Sequence, residues 1–296
     1  MPLDEHNFTQ ALRNVVTQLE WLPSPNPNLC RAISLLNNTE NYIRPVEELL
    51  AADPGLAFHV LRFANSSFYG FRGGIQDIKK AIIVLGMKEI RNIFLTVALL
   101  QQFRSKKTTP FFNSTAFWHH SILTAIIARE LARKYTSSIS EEEIYILGLT
   151  HDIGRLAMAV YLPELFEKSI QNADEHSIDV YEAEKALGVT HCEIGHIIAK
   201  KWGLPASFAS IMLAHHEPQK IKTHTIETAL IVMADHLSNS DSNRNSSRRL
   251  EPAAVIPFVC KNAAELLHIT QEDYRELLKI LPDMNAKAED MLKQFI

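Results

Sequence analysis

Residues able to bind a metal ion lie at the end of an apolar helix predicted near the middle of this 296-residue chain. His151 shares a helical face with Ile144 and Leu147, at i, i+3 and i+7 spacing, so it points towards the core. Asp152 follows it directly, and an imidazole beside a carboxylate suits a divalent metal ion. Gly154 is predicted to end the helix in a left-handed conformation. The pair predicts one part of a metal site.

Four further helices predicted in the second half carry ligand-type residues. These residues are His120, His191, His215 with His216, and Asp235. Asp235 follows an Ile-Val-Met-Ala run, where an ionised carboxylate is costly to bury without a partner or a cation. A lone histidine on an apolar face is more often hydrogen-bonded in a core, and we interpret His119, His196 and His236 in that way. A converging set of nitrogen and oxygen ligands suits iron, manganese or zinc rather than calcium.

The elements that must position these residues are predicted to be helices throughout. Only 10 glycines occur and alternating strand patterns are rare, which predicts an all-α fold. Residues 1–109 are predicted to form an N-terminal helical region that begins with a helix over 7–20. Residues 110–237 are predicted to form a helical bundle with the candidate ligands, 238–251 a polar loop, and 252–296 a C-terminal helical extension.

Local signals predict where several helices begin and end. Asp53 and Ser140 are predicted N-caps, and Thr270 opens a helix with a capping box. The run 81–85 is apolar on every side, which predicts a central position in the core. Pro282 is predicted to separate the last two helices, because proline removes a backbone hydrogen bond and clashes with the preceding turn.

Composition and charge exclude several classes of protein. Hydrophobic residues make up 46% and charged residues 22%, as in an ordinary globular domain. The net charge is −4 and no long basic run occurs, so the sequence predicts neither nucleic-acid nor membrane-surface binding. No apolar run approaches about 18 residues and no signal-peptide pattern is found, which predicts a cytoplasmic protein. Three widely spaced cysteines, Cys30, Cys192 and Cys260, are predicted to be free thiols.

The order of the candidate ligands resembles the HD superfamily of metal-dependent phosphohydrolases. The residues that carry this resemblance are His120-Ser121, His151-Asp152-Ile153-Gly154, His191, His215-His216-Glu217 and Asp235. Within the superfamily the chain is most similar to the HDOD (HD-related output domain) proteins of bacterial signalling. Further motifs that fit are Leu22-Pro23, Asp53-Pro54, Asn65-Ser66, Phe68-Tyr69-Gly70, Leu85-Gly86, Trp118 and Trp202-Gly203-Leu204-Pro205. The resemblance covers about residues 18 to 237 and implies an N-terminal helical subdomain packed on an HD-superfamily-like bundle.

The resemblance also implies a metal centre, dinuclear and bridged by Asp152. The chain is similar to the HD-GYP group, which hydrolyses cyclic di-GMP, but it departs from that pattern. The Gly-Tyr-Pro motif is absent after Glu217, Arg155 replaces the expected lysine, and Ala116 stands where a glutamate ligand can occur. Arg155 keeps a positive charge for a phosphate but is a poor proton donor, because its pKa stays above about 12. Hydrolysis of cyclic di-GMP is therefore not expected.

Two functions follow from the resemblance. The favoured one is a regulatory signal-transduction module that retains the metal site and acts through a signalling protein partner. The alternative is a metal-dependent phosphohydrolase that acts on a nucleotide or another phosphoester. In it the metal ions would lower the pKa of water, with Asp152 and Arg155 as the catalytic residues and Arg155 contacting the phosphoryl oxygens. A redox or oxygen-sensing site is a further interpretation of two neighbouring metal ions.

Overall fold

The computed structural model describes residues 24–37, 46, 50, 53–66, 68–70, 74–104, 106–220, 223–242 and 255–294. Within these ranges the regular structure is entirely helical and no strand occurs, which confirms the all-α prediction. The helix predicted over 7–20 lies outside them. In the same ranges, none of the helices combines the length and the apolar character needed to cross a membrane.

The N-terminal helices pack around one long helix. They are α1 (Pro27–Asn37), α2 (Pro54–Ala64), α3 (Ile78–Leu85) and α4 (Met87–Arg104). Helix α4 contacts the other three. Asp53 caps α2 as predicted, because its Oδ1 accepts the backbone N–H of Leu56 at 2.9 Å. This local signal is reliable because the cap satisfies a backbone donor that the first turn leaves without a partner.

Helix α3 lies at the surface, so the prediction that the run 81–85 is central was wrong. Ala81 is its one fully buried residue, whereas Ile83 is 82% exposed and Val84 is 38% exposed. An apolar run shows that a segment can be buried, but which faces are covered depends on the neighbouring helices. Among the described elements, α3 packs on α2 and α4, and this packing leaves the side of α3 that carries Ile83 and Val84 exposed.

The second half of the chain forms the bundle that carries the candidate ligands. Its helices are α5 (Ser114–Tyr135), α6 (Glu141–Thr150), α7 (Ile153–Tyr161), α8 (Pro163–His176), α9 (Val180–Leu187), α10 (His191–Lys201), α11 (Ala206–Ala214) and α12 (Thr225–Ser242). Helix α5 is central and packs against α6 and α12, while α10 packs against α7 and α11. A short 3₁₀ turn at Pro218–Lys220 lies between α11 and α12. A second one at Phe258–Cys260 precedes the C-terminal helices α13 (Lys261–Leu266) and α14 (Gln271–Lys293).

One apolar core joins the N-terminal helices to the bundle. Phe63 and Phe94 from the N-terminal region belong to the same buried cluster as Tyr145, Phe166 and Tyr274. Burying a large apolar side chain contributes roughly 1.5–3 kcal/mol. The core is continuous across residue 109, and the division of the chain into separate units there stays a prediction.

Two C-terminal features differ from the sequence predictions. Pro282 lies inside α14 instead of separating two helices. The helix continues through it because Leu277, Leu281 and Met284 bury one face of α14 in the core on both sides of the proline. Helix α12 runs to Ser242, so the first residues of the predicted polar loop are helical. The capping box at Thr270 is confirmed.

Gly154 brings two helices together, and the prediction that it ends a helix was wrong. Helix α6 ends at Thr150, and Gly154 lies in the first turn of α7. A Cβ atom placed on Gly154 would lie 1.9 Å from the backbone oxygen of His191. Glycine is therefore required by the close approach of α7 to α10, and this approach brings His191 beside Asp152. Gly148 has a similar role, since its Cβ would lie 2.8 Å from the Cα of Ala125 in α5.

Candidate metal centre

All seven predicted ligands meet in one region of the bundle. His120 and Asp235 project from α5 and α12, His151 and Asp152 occupy the turn between α6 and α7, His191 begins α10, and His215 and His216 follow α11. They form three overlapping groups in which the candidate ligand atoms all lie within 4.8 Å of one another. The groups are His120 with His151 and Asp235; His151 with Asp152 and His215; and His191 with Cys192, His215 and His216.

Asp235 is the carboxylate of the first group. Its Oδ1 lies 3.2 Å from Nε2 of His120 and 3.5 Å from Nε2 of His151. The same oxygen accepts a hydrogen bond from Nδ2 of Asn239 at 3.0 Å. Asn239 is on the part of α12 that extends beyond the predicted helix end, so the extra turn contributes to the site.

Asp152 lies between the groups. Its Oδ1 is 3.2 Å from Nε2 of His191 and 3.4 Å from Nε2 of His215. Its other oxygen, Oδ2, is 3.9 Å from Nε2 of His120. A carboxylate that faces histidines of two groups through different oxygens has the arrangement expected of a bridging ligand.

The histidine rings are oriented by hydrogen bonds at Nδ1. In metal sites the second ring nitrogen usually donates to a carbonyl or a carboxylate, which fixes the tautomer and leaves Nε2 free for the ion. Three rings follow this pattern: His151 Nδ1 faces the Gly148 oxygen at 2.7 Å, His215 Nδ1 the Met212 oxygen at 3.0 Å, and His191 Nδ1 the Glu184 Oε2 at 2.6 Å. In each case Nε2 points into the cluster.

Ser238 orients the fourth ring, that of His120. The Ser238 hydroxyl donates its hydrogen to the backbone oxygen of Asp235 at 2.9 Å. Its oxygen is therefore available to accept from Nδ1 of His120, which lies 3.0 Å away. Thr124 Oγ1 lies 2.9 Å from the same hydroxyl oxygen. Nε2 of His120 is thus left to face Asp235.

The residues fit a divalent cation, because two buried polar atoms in the cluster are unsatisfied. Within the described part of the chain, His151 Nε2 and Asp152 Oδ1 have no hydrogen-bond partner, although charged neighbours lie within 4 Å. The two atoms lie 3.9 Å apart and, with His215, form a group whose ligand atoms are within 4.8 Å of one another. Leaving a buried polar atom unsatisfied lowers the stability of the fold by about 1–3 kcal/mol. A cation bound between the two atoms would satisfy both of them.

Electrostatics favours ionised carboxylates in this cluster. Burial raises the pKa values of Asp152 and Asp235, but the surrounding histidines outweigh burial and hold both pKa values well below the usual range. Burial lowers the pKa of His215, but the neighbouring Cys192 and Asp152 outweigh it and raise that pKa to about 10. The pKa of His191 is raised well above its usual value in the same way. In the metal-free protein these histidines hold protons that an ion must displace.

His216 differs from the other histidines. Burial, together with the charges of His215 and His191, lowers its pKa to about 2 and keeps its imidazole neutral. Its ring stacks on Tyr181 with centroids 4.6 Å apart and planes inclined by 21°. The phenol of Tyr181 in turn donates to Glu217. His216 therefore forms part of a cavity wall beside the cluster, in addition to lying among the possible ligands.

A cavity of about 590 Å³ opens onto the candidate ligands. Arg155 lines it, with Nη1 3.6 Å from Oδ2 of Asp152 and its side chain 34% exposed. Burial lowers the pKa of Arg155, but Asp152 and Glu184 outweigh it and raise the pKa above its usual value. Arg155 is therefore a permanent cation that can contact an anion in the cavity but cannot supply a proton to it.

The residues of the site that were not singled out by the sequence reasoning include three that contact His120, His191 or His215. They are Cys192, treated only as a free thiol, Glu184, and Ser238, which was assigned to a loop. No periodic signal marks Glu184 or Ser238, because each acts through a ring on another helix. The interpretation of His196 as a hydrogen-bonded core residue agrees with its contact to the Ala209 oxygen at 2.8 Å. His236 lines the cavity.

Comparison with known proteins gives one family match. The HDOD domain family matches residues 22–218, so it covers every candidate ligand except Asp235. The curated relatives include an uncharacterized protein of Treponema pallidum, 22% identical over 209 residues that are 70% of this chain and 40% of that protein. Another is the cyclic di-GMP phosphodiesterase CdgJ of Vibrio cholerae, 26% identical over 148 residues, or 50% of this chain and 32% of CdgJ. The chain thus spans less than half the length of either relative.

Solved structures share the fold. An HDOD domain protein with unknown function from Geobacter sulfurreducens superposes with a TM-score of 0.81 at 24% identity, covering 97% of this chain and 98% of that one. A candidate phosphohydrolase from Shewanella amazonensis superposes with a TM-score of 0.75 at 23% identity, covering 95% and 98%. At these identities the likeness is one of fold.

Proposed function

This chain belongs to the HDOD domain family, and from that membership and the geometry of its cluster we propose that it is a signal-transduction module that binds two divalent metal ions. The observation that carries the proposal is the orientation of four histidines. Each has Nδ1 engaged in a hydrogen bond and Nε2 directed at Asp152 or Asp235. Iron, manganese and zinc are the ions that such nitrogen and oxygen ligands suit.

The ligands divide into two sets that share Asp152. His120, His151 and Asp235 would hold one ion, and His191 with His215 would hold the other. A divalent ion with an open coordination position would supply a Lewis acid for a phosphoryl oxygen and would lower the pKa of water.

Arg155 supports a regulatory role. It lines the cavity as a fixed positive charge, which suits the binding of a phosphate-containing small molecule. Hydrolysis of a phosphoester also needs a proton for the leaving oxygen, and a guanidinium does not release one at neutral pH. We therefore propose that the module binds a phosphate-containing molecule without hydrolysing it. A signalling protein is the partner that responds to the occupied module.

Metal analysis of isosteric variants tests this proposal. Asp152→Asn keeps the side-chain shape but removes the bridging charge, and it should lower the metal content by at least one ion per chain. Asp174→Asn is the matched control, since Asp174 is exposed on α8 and should leave the content unchanged. Wild-type protein that holds less than about 0.2 ion per chain after incubation with iron, manganese or zinc would rule out the proposed site.

A phosphohydrolase is the second candidate, and the cavity favours it. The cavity reaches Asp152 and is large enough for a nucleotide-sized ligand, with the stacked Tyr181 and His216 on its wall. Metal-loaded protein incubated with a panel of nucleotides and phosphodiesters would reveal such an activity. Turnover that is lost in Asp152→Asn but kept in Asp174→Asn would establish hydrolysis at this site, whereas turnover that is equal in both variants would come from elsewhere.

A further inference from the structure

Cys192 lies against the two histidines that face Asp152. It is the second residue of α10 and only 1% exposed. Its Sγ is 3.5 Å from Nε2 of His191 and 3.9 Å from both ring nitrogens of His215. The two Nε2 atoms are 3.3 Å apart. The sulfur thus belongs to the same small group of candidate ligand atoms.

These separations match those of ligands around one tetrahedral ion. With bonds of about 2.0–2.1 Å to nitrogen and about 2.3 Å to sulfur, ideal angles place two nitrogens about 3.3 Å apart and a nitrogen about 3.6 Å from a sulfur. The observed values are 3.3 Å between the histidines and 3.5 and 3.9 Å to the sulfur. Asp152 Oδ1 lies 3.2 and 3.4 Å from the same two Nε2 atoms, and His216 is the further member of the group that contains Cys192.

A thiol hydrogen bond explains the arrangement less well. Sγ is equally distant from both nitrogens of His215, and Nδ1 of that ring already faces the backbone oxygen of Met212. A second observation points to an ion independently of the cysteine. Asp152 is 4% exposed, and its Oδ1 is left without a hydrogen-bond partner among the described residues, while it faces the same two Nε2 atoms.

We propose that Cys192 is a thiolate ligand of the ion held by Asp152, His191 and His215. This inference rests on the proposed metal site and adds a ligand and a chemical selectivity to it. A thiolate and a carboxylate neutralise the charge of a divalent ion, and a soft sulfur ligand favours zinc or iron over manganese and magnesium. Four protein ligands close the coordination sphere, as in structural metal sites, whereas catalytic sites keep one position open. The ion at Cys192 is therefore the structural member of the pair.

Cobalt(II) substitution of the full chain tests the assignment. A cobalt–thiolate bond gives an intense charge-transfer absorption in the near ultraviolet. We expect that absorption in the wild type, its loss in Cys192→Ser, and its retention in Cys260→Ser, the matched variant at a second buried cysteine. Cobalt binding at full stoichiometry without the absorption, or with the absorption unchanged in Cys192→Ser, would overturn the thiolate ligand and leave the metal site intact. Failure of the wild type to bind cobalt, zinc or iron would overturn both proposals.

X-ray absorption at the zinc edge gives a test that needs no variant. Zinc-loaded wild-type protein should show a sulfur shell at about 2.3 Å in addition to nitrogen and oxygen at about 2.0–2.1 Å. A spectrum fitted by nitrogen and oxygen alone would contradict the proposal, whatever the folding of Cys192→Ser.

Discussion

At the scale of single residues, the cluster depends on side chains that would not touch an ion. Glu184 is buried, and its Oε2 accepts from both the backbone N–H and the Nδ1–H of His191. A carboxylate at this position fixes the ring and makes its Nε2 more basic towards a metal. Local periodicity could predict that His191 points inward, but it could not identify Glu184, whose role exists only when α9 and α10 are packed.

Glu184→Gln should weaken metal binding without removing the hydrogen bond. The amide oxygen can still accept from Nδ1 of His191, but the negative charge is lost, and changes of this kind cost about 10- to 100-fold in metal affinity. A competition titration with a chromophoric chelator measures the change. Glu182→Gln, at an exposed residue of the same helix, is the control and should bind like the wild type. Equal affinities for the two variants would show that Glu184 has no role at the site.

Metal binding should release protons. His215, with its pKa raised to about 10, and His191 are protonated at pH 7.5 in the metal-free protein, and each must be neutral to bind an ion. The affinity should therefore rise as the pH increases from 7 towards 10 and fall as the pH decreases. Calorimetric titrations with zinc in two buffers of different ionisation enthalpy measure the number of protons released. Identical binding enthalpies in the two buffers would contradict this account.

At the scale of secondary structure elements, the sequence predicts helix starts better than helix contacts. The caps at Asp53 and Ser140 could be predicted because each depends on a side chain three residues from its backbone partner. The burial of α3 and the role of Gly154 could not, because both depend on which helix lies opposite. The resemblance supplied the candidate ligands, whereas only packing brings the five segments of the bundle that carry them to one region.

Gly154→Ala should disturb the contact between α7 and α10. The new Cβ would lie 1.9 Å from the His191 oxygen, so the helices must separate, and overpacking of this kind lowers the free energy of unfolding by about 1–3 kcal/mol. Because Asp152 and His191 are on opposite sides of this contact, metal affinity should fall as well. Denaturant unfolding and a metal titration measure the two effects.

Gly55→Ala provides the matched control for that variant. Gly55 is also in the first turn of a helix, but its Cβ would meet its nearest neighbour, Oδ1 of Asp53, at an ordinary 3.4 Å. Alanine is favoured over glycine in a helix by up to about 1 kcal/mol, so this variant should be as stable as the wild type or more stable. Similar losses of stability in both variants would show that the close approach at Gly154 is unimportant.

At the scale of the whole molecule, a pair of metal ions bound in the cluster would join helices that are far apart in the sequence. Its ligands come from α5, the turn after α6, α10, the end of α11, and α12. The core is continuous from the N-terminal helices into this bundle, so the helices that carry the candidate ligands and the N-terminal helices share one set of buried contacts. Such a connection is what a signalling module would need, since its partner must detect the state of a buried site.

Metal should stabilise the entire fold. An ion that binds only the folded state adds about 2.7 kcal/mol to the free energy of unfolding when its free concentration is about 100 times Kd. The unfolding temperature of metal-loaded protein should therefore fall on treatment with a chelator and recover when zinc is restored. Asp152→Asn should show smaller changes in both steps, while Asp174→Asn should behave as the wild type. An unfolding temperature independent of metal would indicate that the cluster is not linked to folding.

Anomalous X-ray diffraction from metal-loaded crystals tests the central claim most directly. We expect two anomalous peaks in each molecule, one among His120, His151 and Asp235 and the other among Asp152, His191 and His215, with Asp152 between them. Data collected on both sides of the absorption edge of the metal identify the element at each peak. Crystals grown with excess zinc, iron or manganese that show no anomalous peak at these residues would contradict the account.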